Sequence, residues 1–274
     1  MLKYRIMKGR NLKEDIMIKN SSRVDFSLPE KLDCHASLAM TKAFTLAEVL
    51  ITLGIIGVVA AVIMPALITK HEKKVFAVRA KQTYSQLAQA INISTVQNGD
   101  PKDWDTDGGG WTFENTERFL NKYLLPYLNS PKFCANGMSD EAKAKCGLAS
   151  FTVSQTYILS NGAAISAIPI NSNIVMNVEI DVNGPKRPNR TGYDQFQFYL
   201  LGESGKLSFI SEVEGFTRED ILAGKQTTTG IHSPKSVYMA CKKSKTDEND
   251  IYYRSGCTAL LMMDGWEFKD DYPW

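Results

Sequence analysis

Apolar and polar positions alternate in three different ways along this chain. From Phe44 to Met64 nearly every residue is apolar, and Glu48 is the one charge in the run. About 21 such residues form a helix long enough to cross a hydrocarbon layer of ~30 Å. After Thr69 polar residues return, while Phe76, Ala80, Tyr84, Leu87, Ala88 and Ile91 recur every three or four positions. That spacing predicts one apolar face on a continuing helix. From residue 151 the period becomes two, the signature of strands.

The helix is predicted over 44–98, about 80 Å at ~1.5 Å per residue. Asn98-Gly99-Asp100-Pro101 stops it, with Gly at the C-cap and Pro beyond. Gly54, Gly57 and Pro65 are weak points inside it. Pro65 removes one backbone donor and is the expected helix-break position, where the helix should kink or the turn before it loosen. Residues 100–150 read as an insertion: a loop at Asp107-Gly108-Gly109-Gly110, a short helix over 113–128 with Pro126 near its end, and a polar loop holding Cys134 and Cys146.

Strands are expected at 151–159, 163–170, 174–181, 195–201 and 206–210, with a hairpin signal at Asn161-Gly162. Consecutive hairpins predict an antiparallel sheet. One face of that sheet and the apolar stripe of the helix each need cover in water, so they are expected to pack together. The fold class is therefore α+β: a long N-terminal helix, its first half transmembrane and its second half on the sheet. A charged, loop-like stretch between Cys241 and Cys257 and the aromatic end Asp271-Tyr272-Pro273-Trp274 complete the chain.

A carboxylate inside an apolar span is costly, so Glu48 calls for a partner. The residues before the span end in Lys42-Ala43. A secretory signal is cut after its apolar run, not before it. Lys42, Ala43, Phe44, Thr45, Leu46, Glu48, the apolar run and Pro65 resemble the N-terminus of type IV pilins and type II secretion pseudopilins. The resemblance covers about 25 residues, and Ala43 stands where that family usually has Gly. It implies that a prepilin peptidase cuts between Ala43 and Phe44 and methylates the Phe44 amine. It also implies that Glu48 of one subunit neutralises the Phe44 amine of the next during filament assembly. Two opposite charges in poorly screening surroundings gain from pairing. The alternative is that Glu48 faces the N-terminus of its own helix and favours the helix dipole.

On this reading residues 1–43 are a leader, with the start at Met1 or at Met40, 44–68 the transmembrane and polymerisation helix, and 69–274 a pilin-like globular domain. The leader holds nine Lys/Arg and five Asp/Glu, so its removal turns a formal charge of +2 into −2. A basic leader follows the positive-inside rule and places the rest in or beyond the membrane. The mildly acidic remainder gives no support for strong nucleic-acid binding. Cleavage also removes Cys34 and leaves four cysteines, Cys134, Cys146, Cys241 and Cys257. Four allow three pairings. Proximity favours Cys134–Cys146 and Cys241–Cys257, and without a CxxC or a nearby His pair zinc is the weaker reading. A disulfide-closed C-terminal region is also a feature of many type IV pilins.

Asp181-Val182-Asn183-Gly184 with Asp194 offers oxygens that suit calcium, and some pseudopilins bind calcium in a loop between strands. A side-chain-bonded turn is the other reading, since the full calcium-loop pattern is absent. No catalytic motif is evident: His35, His71 and His232 are scattered, and no Gly-x-Ser-x-Gly, P-loop or His-Glu-x-x-His occurs. Trp111, Trp266, Tyr272 and Trp274 read as core or subunit contacts, and Lys242, Lys243 and Lys245 as a solvated loop.

The function expected from the resemblance is a structural filament subunit rather than an enzyme. A type IV pilus or pilin-like filament is favoured, with a secretion pseudopilin or DNA-uptake pilin as alternatives. A membrane-anchored enzyme or receptor that never polymerises is the contrasting class. Expected partners are further copies of the chain, the prepilin peptidase and the assembly machinery of the bacterial inner membrane. The subunit would sit there as a single-pass protein before joining a periplasmic or cell-surface filament.

Overall fold

The structure is a computed structural model that describes residues 45–107, 112–148, 152–170, 173–209, 215–225, 241 and 251–274. The chain divides into two units, Met1–Leu53 and Gly54–Trp274. Helix α1 runs over Leu46–Asn98, 53 residues, as the two apolar periods predict. Its end is built as expected: Gly99 takes φ +83° and donates to the Thr95 carbonyl. The Asn98 amide donates to Ser94 and to the Tyr127 hydroxyl.

Helix α1 continues through Pro65, so the weak point does not interrupt it. Proline removes one N–H from the ladder, and the bonds of neighbouring turns carry the helix past that gap. Thr69 adds a side-chain bond to the Pro65 carbonyl at 3.0 Å.

Helix α2, Phe113–Tyr123, starts at Thr112, whose hydroxyl accepts the Asn115 amide at 3.1 Å. It ends in a 3-10 turn, Leu125–Tyr127, where Pro126 stops regular bonding. Trp104 stacks on Tyr123 with ring centres 4.6 Å apart, closing the insertion on itself. The stretch read as a polar loop is instead structured. Strand β1 (Lys132–Asn136) is followed by helix α3 (Asp140–Cys146), whose N-cap Ser139 accepts from Ala142. The Cys134–Cys146 disulfide joins them.

Strands β2 (Gln155–Ile158), β3 (Ala164–Pro169), β4 (Ile174–Asp181), β5 (Gln195–Leu201) and β6 (Leu207–Ser208) follow. They form with β1 one six-stranded antiparallel sheet in chain order. The Asn161-Gly162 hairpin is present, with Gly162 at φ +84° and the Asn161 side chain accepting the Ala163 amide.

Helix α1 packs on one face of this sheet. Met176, Val178 and Ile180 of β4 and Phe196, Phe198 and Leu200 of β5 share a core with Phe76, Ala80, Leu87 and Ile91. Burying an apolar side chain of this size stabilises by about 1.5–3 kcal/mol. Phe76 meets Tyr193 edge-on at 5.3 Å, and Tyr84 lies 5.5 Å from Phe198 and donates to the Leu207 carbonyl. The second face of the sheet is also buried and carries polar residues along β4 beside an apolar cluster of Ile174 and Tyr199. Asn177, Glu179 and Asp181 of β4 are each almost fully covered. The Gln197 amide donates across to Asn177 and Glu179, and Gln195 to Asp181.

Helix α4 is Arg218–Ala223, opened by a Thr217/Asp220 capping box. Helix α5 is Ile251–Met263, so the end of the stretch with a loop-like sequence before Cys257 is helical. It lies against β5, and the Thr258 hydroxyl accepts the Gln197 backbone amide at 2.9 Å. β6 pairs only with Tyr199 and Leu200. Thr258 thus covers an edge amide that β6 is too short to reach.

Candidate functional site

The head of α1 is a closed local unit. The Thr45 amide and hydroxyl both donate to Glu48 Oε2, at 2.9 and 3.0 Å, and the Glu48 amide donates to the Thr45 hydroxyl at 3.2 Å. This is a capping box, in which Thr and Glu three residues apart satisfy each other's helix-end donors. Within the single chain the Glu48 carboxylate thus caps its own helix end. Ala43 and Phe44 lie outside the described residues.

On both sides of Glu48 the large apolar side chains from Leu46 to Ile68 are exposed, Leu46 at 79% and Val62 at 73%. A stripe of this extent on every side of a helix is unstable in water without cover. Among the described residues one helix, α1, is long and apolar enough to span a membrane.

The structure brings Asp181, Asn183 and Asp194 together, as the sequence suggested, but as a turn. Asp181 accepts from the Asn183 amide and from Gln195. Asp194 accepts the backbone amides of Asn189 and Arg190 on its two oxygens. The Asn183 amide nitrogen is bound to the Lys186 and Arg187 carbonyls. Each carboxylate oxygen therefore faces an N–H, where a calcium cage needs oxygens left facing the ion. Among the described residues no cluster of three or more His, Cys, Asp or Glu could hold a metal. The residues form a side-chain-bonded turn, in which the Asn183 Oδ1 is buried without a hydrogen-bond partner. Burial pushes the Asp194 carboxyl up to about 6.

Both disulfides take the pairing that proximity favoured, Cys134–Cys146 and Cys241–Cys257. Around the second, the chain end is clamped. Tyr272 is buried, and its hydroxyl donates to the carbonyls of Gly192 at 2.7 Å and Cys257 at 3.2 Å. Gly192, at φ +75°, has no room for a Cβ, which would run into Cys257. Arg218 binds Asp264 with Nε at 2.7 Å and Nη2 at 3.0 Å, and also holds Asp271; Lys269 adds a bond to Asp264 at 2.9 Å. Burial alone would raise the Asp264 carboxyl, but Arg218 and Lys269 outweigh it and hold it below the usual carboxylate range.

Sequence reading missed two surface features. One is a groove of about 1180 Å³ between α1 over Pro65–Val78 and the C-terminal loop Gly265–Asp270. The other is a basic pocket of about 310 Å³ lined by Lys143, Arg187, Pro188, Asn189 and Arg190. Both assemble residues distant in sequence, so no local pattern announces them.

Comparison with known families matches residues 66–274 to a family of unknown function, DUF6613. The chain belongs to that family. The match begins directly after Pro65, so it takes in the part of α1 that packs on the sheet and leaves out most of the apolar run. No curated protein and no solved structure matches the chain.

Proposed function

We propose that this DUF6613 member is a structural subunit of a type IV pilus or pilin-like filament, cut before Phe44 and assembled through the head of α1. The observation that carries the reading is an uncovered apolar helix with one carboxylate, Glu48, placed four residues after Phe44. Such a helix needs lipid before assembly and neighbouring helices after it. A new amine at Phe44 would give Glu48 a charged partner on an adjacent copy. The helix-on-sheet core and two disulfides suit an exported head.

The test is co-expression of the full chain with a prepilin peptidase, followed by mass analysis of the mature N-terminus. N-methyl-Phe44 is the expected product, and an intact leader overturns the proposal. A second reading, an anchored head that never polymerises, is favoured by the capping box, because a carboxylate that only caps its own helix needs no partner.

A further inference from the structure

We propose that the groove beside the end of the apolar run binds the headgroup of an anionic phospholipid in the bilayer that α1 enters. The inference rests on the membrane placement of α1 and not on filament assembly.

The last exposed apolar residue of the run is Ile68. Lys70, Lys73 and Lys74 follow it and line the groove. At ~1.5 Å per residue they stand about 3–9 Å beyond Ile68 along the axis, the depth of the headgroup layer. Their spacing of three and four puts them on one side of the helix. Among the described residues none of the three makes an ion pair.

The opposite wall includes half-buried Trp266 and Phe268. Trp266 is fixed against Tyr84 at 5.1 Å, so this wall is built on the core. Tryptophan, with an apolar body and a polar N–H edge, is favoured at the membrane interface. Lys269 also lines the groove, but its charge is committed to buried Asp264. Three uncommitted lysines face Glu267 and Asp270, leaving one positive charge. That surplus matches the single negative charge of a phosphatidylglycerol headgroup.

The experiment uses the full chain in non-ionic detergent and native mass spectrometry with phosphatidylglycerol and phosphatidylcholine of identical acyl chains. Phosphatidylglycerol adducts should exceed phosphatidylcholine adducts at least tenfold. The triple variant K70Q/K73Q/K74Q should reduce them at least tenfold with its circular dichroism melt unchanged. The variant K143Q/R187Q/R190Q, in the other basic pocket, should bind as the parent does. Equal uptake of the two lipids overturns the proposal, as does retention by the first variant or an equal loss in the second. Displacement by millimolar inorganic phosphate without lipid preference would mean a small-anion site and also overturns it. None of these results depends on whether Phe44 is processed.

Discussion

Thr45 and Glu48 satisfy each other across the first turn of α1: the Glu48 carboxylate takes the Thr45 amide and hydroxyl, and the Thr45 hydroxyl takes the Glu48 amide. The pair holds the carboxylate at the helix head, one turn from where cleavage would create an amine. Capping a helix and binding a neighbour's amine therefore compete for one side chain.

Glutamine separates these roles, because it can close a capping box but carries no charge. If Glu48 pairs with the amine of an adjacent subunit, Glu48→Gln and Glu48→Ala should both lower fibres sheared from cells at least tenfold. Electron microscopy and immunoblotting of the sheared fraction measure this. If Glu48 only caps, Glu48→Gln should assemble normally.

Asp264 is buried and held by Arg218 and Lys269. Arg218→Ala removes a two-pronged partner from a covered carboxylate, a loss of about 3 kcal/mol. Urea denaturation should show a lower midpoint with an unchanged slope. Arg218→Lys should recover only part of the loss, since an ammonium cannot bind both oxygens in the planar guanidinium manner.

Asp194 gives stability an unusual pH dependence. Its folded pKa of about 6 lies above the usual value, so between roughly pH 4 and 6 the unfolded chain releases this proton first. Its contribution is greatest at the acid end and falls as pH rises through 6, by on the order of 2–3 kcal/mol. Asp264 works in the opposite sense: its contribution is present above the unfolded pKa and lost as pH falls through its lowered folded value. Urea midpoints measured from pH 4.5 to 7 should decline, and Asp194→Asn should flatten the decline while lowering stability at the acid end.

Tyr272 ties the chain end to Gly192 and Cys257. Tyr272→Phe leaves two buried carbonyls without this donor and should cost about 1–3 kcal/mol. Gly192→Ala should cost more, because it combines a φ of +75° with a Cβ in the space of Cys257. Thermal melts of the two variants should rank in that order.

Reducing and non-reducing peptide maps should find Cys134 joined to Cys146 and Cys241 to Cys257. Replacing Cys134 and Cys146 together by Ser should lower stability by about 2–4 kcal/mol. Peptides crossing the two loops would contradict the fold.

The sequence alone determined whatever depends on neighbours along the chain. A period of three to four placed Phe76, Ala80, Leu87 and Ile91 on the face that is buried. Asn-Gly marked the hairpin, and the Asn98-Gly99 pair marked the end of α1, because backbone conformation at a turn is a local matter. Short cysteine loops favoured the observed pairing because closing a short loop brings few residues into line. Only the tertiary structure decided what depends on burial from a distance. β1 and α3 escaped notice because their polar residues carry no clear period, and their order comes from β2 and the disulfide. α5 escaped because Gly256 interrupts a weak helical pattern, and contact with β5 fixes it. Asn177, Glu179 and Asp181 alternate like a solvent-facing edge, yet the second face of the sheet is covered and Gln195 and Gln197 satisfy them. The turn at Asp181 was legible in its residues, but which groups would face its carboxylates was set by the return of the chain through Asn189, Arg190 and Gln195.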